Sequence, residues 1–246
     1  MDTTNLKTRM NTKVQALSER EPGTSQYLAL TSNALELIQE NLKHQPLSFQ
    51  LFDMVKSPSG GSTVFSVPGL SGEEAEKELT GIILDYTTPR AYWATSDPVE
   101  GMPPTCLSKD SLISQDGKAC AHCPFNDFGS KDGDSPAKAC KESVLLFLLR
   151  PGSVFPLLVR VPVTSKKLFL KYAPRLISRM TPLSSVVTRI TLEKATSREG
   201  KPYALFHFDA VQTLDQETAA KAREFGKQFM EFVNAADVEP VFTQAG

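Results

Sequence analysis

All four cysteines of the 246-residue chain, Cys106, Cys120, Cys123 and Cys140, fall within one polar stretch, PPTCLSKDSLISQDGKACAHCPFNDFGSKDGDSPAKACK. Rich in Gly, Pro, Ser, Asp and Lys, such a segment cannot offset its own ordering entropy by burial. A metal ion can supply the missing free energy, because binding of structural zinc is itself folding free energy, about 10 to 16 kcal/mol in small zinc-finger peptides. Four thiolates suit a tetrahedral Zn2+ site. The spacing is one CxxC in the middle, with thirteen residues between it and the cysteine before and sixteen between it and the cysteine after. We therefore expect a zinc-binding loop insertion over residues 103–142, with zinc in a structural role. An Fe-S cluster held by the same four thiolates is the alternative. A redox CxxC is disfavoured, since it would open a helix after a strand and this one lies among loop residues. His122, between the two thiols, could replace one of them as a ligand, although its neighbours suit that role better by spacing; the alternative reading is a solvent-exposed side chain.

Compartment follows from the thiols and from what surrounds them. The opening MDTTNLKTRMNTKVQ lacks the apolar core of a signal peptide, and no run approaches the roughly 18 apolar residues of a membrane span. The expectation is a cytoplasmic protein with no membrane partner, where cysteines bind metal more often than they form lasting disulfides. The length suffices for one large core carrying an insertion.

Periodicity sets the elements. Residues 1–23 are polar and aperiodic and read as a mobile arm. Tyr27, Leu30, Ala34, Leu35, Ile38 and Leu42 recur at helical spacing. LSFQLFDMVK and TVFSVP read as strands around the turn SPSGGS, and SGEEAEKEL as a helical turn or two. TGIILDYTTPRAYWA reads as a long strand broken at Pro89. SVLLFLLR is the continuous apolar run of a strand covered on both faces, and VFPLLVRVPV makes a hairpin with it across PGS. A helix is expected over 165–180, kinked or divided by Pro174, then a hairpin over 184–212 and a final amphipathic helix and tail over 213–246. The elements suit an α+β, mainly antiparallel fold: an OB-like barrel core over 24–212, with the zinc-binding insertion and flanking helices.

The near-neutral total charge hides a basic segment. Between Lys138 and Lys201 thirteen cations face three acids, Glu142, Glu193 and Glu199. Lys167, Lys171, Arg175 and Arg179 recur every four residues, a like-charge row that costs a helix about 0.2 to 0.5 kcal/mol per pair unless an anion offsets it. Phosphate backbones are the matching anion, and a basic groove with stacking aromatics holds single strands without sequence preference. Candidate nucleic-acid contacts are Arg90, Tyr92, Trp93, Arg150, Arg160, Lys166, Lys167, Lys171, Arg175, Arg179, Arg189 and Tyr203. No catalytic motif is found: there is no P-loop, GxGxxG, HExxH or GxSxG, and the His-x-Glu of zinc deaminases is missing. Four thiolate ligands would also leave zinc no open position, so a non-enzymatic protein is expected.

PSGGSTVFSVP, GIILDYTTPRAYW, CPFNDFGS, KACK, LLFLLRPG and VVTRITLEKA together resemble a group of bacteriophage and mobile-element proteins over roughly residues 58–212, all four cysteines included. The resemblance implies a role in DNA replication or recombination of mobile DNA in a bacterial host cell and, more distantly, kinship with phage single-stranded DNA-binding proteins. Its implied partners are single-stranded DNA and replication or recombination proteins. The ending VEPVFTQAG lacks the acidic tail such proteins commonly use for recruitment. A zinc-ribbon adaptor acting on host replication or transcription machinery is the alternative function.

Overall fold

The computed structural model describes residues 26–31, 33–43, 51–55, 58–95, 102–131, 135–197 and 200–235. The expected N-terminal arm lies outside them. The apolar run does become a strand buried on both faces: all six residues of β8 (Val144–Leu149) are buried. Their side chains alternate between two core layers. Leu145, Phe147 and Leu149 face one, and Val144, Leu146 and Leu148 face the other.

β8 lies inside a six-stranded sheet of order β1-β9-β8-β4-β10-β11. The other members are β1 (Met54–Val55), β4 (Glu78–Thr87), β9 (Leu157–Val161), β10 (Val186–Thr196) and β11 (Pro202–Thr213). All neighbours are antiparallel except β1 and β9, which run parallel. Helices α1 (Ala34–Asn41) and α3 (Gln216–Ala235) cover one face through Ile38, Phe225 and Phe229. The other face is covered by α2 (Val163–Ile177) through Phe169, Tyr172 and Leu176, and by β2 (Phe65–Gly69) through Phe65 and Val67. Each such fully buried side chain contributes about 1.5 to 3 kcal/mol of transfer free energy.

The sheet departs from the expected barrel. The strand order has two ends, and no closed barrel is found among the described residues. The outer edge of β11 meets α2 instead of another strand: the Phe206 amide donates to the Ser165 hydroxyl at 3.0 Å. The same helix reaches β10, where the Tyr172 and Thr188 hydroxyls bond at 2.8 Å. A helix that satisfies an edge amide removes the reason for the sheet to close on itself.

SGEEAEKEL is likewise not helical. Gly72–Glu76 forms β3, paired antiparallel with β2 in a two-stranded hairpin. Glutamate favours helices, but this segment has no apolar stripe at helical spacing, so pairing with Phe65–Gly69 decides its state. Of LSFQLFDMVK only Met54 and Val55 pair; residues 47–50 and 56 lie outside the described residues. Pro174 neither divides nor ends α2. It lies on the exposed side, where a carbonyl left without its helical partner meets water.

Candidate metal centre and basic surface

The cysteine block is inserted between β4 and β8, two strands that are neighbours in the sheet. After the break at Thr88 and Pro89, β5 (Arg90–Tyr92) leaves the main sheet. It takes β6 (Cys106–Ser108) on one side and β7 (Lys141–Glu142) on the other. Tyr92 pairs with Cys106, and Ala91 with both Leu107 and Lys141. Cys106, in β6, and Cys140, immediately before β7, are 34 positions apart in the chain and are thus delivered at the two sides of one central strand.

The CxxC is placed by turns. The Cys120 amide donates to the Leu112 carbonyl at 2.9 Å, behind a bridge between Ile113 and Ala119. Asp110 builds that approach by accepting from the Leu112 amide at 2.8 Å and the Ser108 hydroxyl at 3.1 Å. Burial acts to raise the Asp110 carboxyl, but the hydrogen bonds outweigh it and hold the group below the usual carboxylate range. Cys120–His122 and Pro124–Asn126 are single turns of 3-10 helix on either side of Cys123. The Cys140 amide donates to the Phe125 carbonyl at 2.8 Å, and the Asn126 side-chain amide donates to the Cys120 carbonyl at 3.0 Å. The Cys123 amide donates to the Cys120 carbonyl at 3.3 Å and the Asn126 amide to the Cys123 carbonyl at 2.9 Å, so backbone and side-chain hydrogen bonds link the CxxC turns to Cys140.

All four cysteines are free and line one cavity of about 40 Å³. Burial pushes the Cys140 thiol up to about 12, against the pull of Arg90 and with the added repulsion of the other three thiols. Cys106 is raised too, by burial first, then by Asp116 and by Cys123 and Cys120. A thiol held so high is a poor nucleophile, and only a bound cation would make it a thiolate near neutrality. The donor set and the shared cavity fit a four-thiolate ion. Among the described residues no group of three or more His, Cys, Asp or Glu that could hold a metal is found. His122 is exposed.

Arg90 ties the parts of this module to one another. It is only 8% exposed and donates from Nε to the Ser111 hydroxyl at 3.3 Å, from Nη1 to Asn126 Oδ1 and from Nη2 to Glu142 Oε2. Glu142 Oε1 also takes Lys166 from the first turns of α2. The guanidinium is thus committed within the protein. Glu142 and Asn126 are the key partners that the sequence did not reveal. They lie 52 and 36 positions from Arg90, and no local pattern marks them.

The other predicted contacts divide. Tyr92 is half-buried with its ring stacked on Phe125 at 3.9 Å, and Trp93 packs against Ala91 and Leu107 while its indole donates to the Met102 carbonyl at 3.0 Å. Arg150 makes a two-pronged bond to Glu76 at 2.9 and 2.8 Å. Arg160 lies half-buried on β9, and burial lowers its pKa. Lys141 is lowered by burial and then by the charges of Lys131 and Arg160 nearby. Arg189 pairs with Asp209 across the β10–β11 hairpin at 3.7 Å, and Tyr203 is half-buried at its far end. Lys167, Lys171, Arg175 and Arg179 are exposed along α2 and the turn after it, and none makes an ion pair among the described residues.

Comparison of the chain with protein-family models, curated proteins and solved structures gives no match.

Proposed function

We propose that this protein binds single-stranded nucleic acid, DNA in the first instance, with a structural Zn2+ held by Cys106, Cys120, Cys123 and Cys140. The observation that carries the reading is the row Lys167, Lys171 and Arg175 on α2 with Arg179 in the turn after it, four exposed cations with no acid on the helix and no ion pair among the described residues. Lys166 of α2 is paired with Glu142 of β7, and Lys141, the residue before it, lies within reach of the charges of Lys131 and Arg160. The ion would supply only folding free energy. The platform would be an open, helix-covered sheet, and any OB-like kinship would rest on the resemblance to phage and mobile-element proteins.

Fluorescence titration with an oligonucleotide across a salt series tests this. Binding should weaken steeply with salt, and K171E/R175E should reduce the slope of log K against log salt by about 1.4, two phosphates at about 0.7 each for single strands. No binding at low salt ends the proposal. Purified protein should be colourless with one zinc per chain; brown protein with visible absorbance points to the Fe-S alternative.

The adaptor alternative draws on the outer side of the module, where Phe128 is 81% exposed and Leu112 and Ile113 are also open. Aromatic and aliphatic anchors of this kind suit a protein partner. Capture from host lysate should then survive nuclease treatment and fail with Phe128→Ser.

A further inference from the structure

Helix α2 exposes more than charge. Val163, Leu170 and Ile177, spaced by seven, are 54, 41 and 60% exposed, and Met180 follows in the turn beyond the helix. Sevenfold spacing keeps three side chains on one side of a helix, so an open apolar strip runs beside the cationic row. Phosphates match the row but leave the strip uncovered. An occupant of both must carry acids and an aliphatic side chain together. A second α2 cannot be that occupant, since it would set cation against cation.

The chain itself carries the complement. On the β2–β3 hairpin and just beyond it, Glu73, Glu74 and Glu78 are exposed, and none makes an ion pair among the described residues. Leu70, at the hairpin tip, is fully exposed. Arg150 grips Glu76 with two hydrogen bonds, so the hairpin is pinned before it meets anything. Hairpin and α2 also lie on one face of the sheet, because Phe65 and Val67 share a core layer with Phe169, Tyr172 and Leu176. Two complementary patches on one face can both be satisfied by a two-fold axis, each copy giving its hairpin and receiving the other's.

The geometry points to a two-fold dimer in which the acidic β2–β3 hairpin of one copy docks on α2 of its partner, Leu70 against the apolar strip and the exposed glutamates of the hairpin against the cationic row. The dimer needs no nucleic acid. A strand would compete with the hairpin for the same α2 cations, so the two occupants exclude one another there.

Sedimentation of the full-length chain, freed of nucleic acid, decides the matter. The wild type should form a concentration-dependent dimer at low salt that dissociates as salt screens the contact. E73K/E74K and K171E/R175E should each weaken self-association about tenfold or more, while an equimolar mixture of the two should dimerise, since each reversed patch then meets its opposite. L70S should weaken the dimer without any change of charge. E217K/E224K, a reversal on the exposed side of α3, should not restore association with K171E/R175E. All these positions are exposed, and matching thermal melts would confirm folding. A wild type that is monomeric throughout at low salt, a dimer indifferent to both reversals, or a mixture that stays monomeric overturns the inference. Nucleic-acid binding is read separately, by the salt-series titration, so failure of the dimer leaves that reading standing.

Discussion

Arg90 sits where β5, the Ser111 turn, the Asn126 turn and β7 meet, so its loss should be felt across the whole module. Arg90→Met would leave one oxygen of Glu142 without its donor, while Asn126 Oδ1 keeps Lys138 Nζ at 3.0 Å, and breaking a buried pair in this way costs about 3 to 5 kcal/mol. Chemical denaturation should report a loss of that order. Arg90→Lys should rescue little, because an ammonium cannot reproduce a three-partner fork. A second residue-scale prediction concerns Gly81. A Cβ there would lie 2.4 Å from the Leu149 carbonyl oxygen and 3.0 Å from Leu148 Cγ. Two backbones of the central sheet cannot part at low cost, and Gly81→Ala should lower stability by about 1 to 3 kcal/mol, read as a fall in Tm. At this scale the cysteines were legible, because four thiols in a polar stretch are conspicuous anywhere. Arg90 was legible as a charge but not as a clamp, since its acceptors are distant in sequence.

Elements were legible where one physical signal stood alone. The apolar run of β8, the hairpin of β10 and β11, and α3 all follow their patterns. β3 does not, because glutamate-rich composition speaks for a helix while the strand partner just across the turn at Leu70 and Ser71 speaks louder. Among the helices, α3 shows its start most clearly. Asp215 accepts from the Thr218 amide at 2.9 Å and from the Thr218 hydroxyl at 2.6 Å, and these bonds hold its carboxyl below the usual range. A depressed carboxyl stabilises the fold above its unfolded value, about 3.9, and the contribution fades as pH falls through the lower folded one. Asp215→Ala should therefore melt earlier than the wild type at neutral pH, and the two melting temperatures should converge in strong acid. A gap that stays constant down to strong acid would show that charge on the cap is irrelevant.

For the molecule as a whole, strand content and the place of the insertion were legible, but the closure of the sheet was not. Local alternation carries no record of strand order, and the parallel β1–β9 contact joins segments a hundred residues apart. If zinc holds the four thiols, a chelator should loosen residues 102–142 while β4, β8, β9 and β10 remain. Hydrogen exchange should show fast amides in the module beside a protected sheet. Uniform loss of protection would mean instead that core and module fold as one unit.

The cysteine block leaves the sheet after Thr87 and re-enters at Val144, and Thr87 is itself paired with Leu145. Departure and return are side by side. A short turn could bridge that gap and leave an ordinary β-meander behind. The parent architecture could therefore form during synthesis before any ion arrives, and the excursion could be lost, swapped or elaborated without disturbing what it grows from.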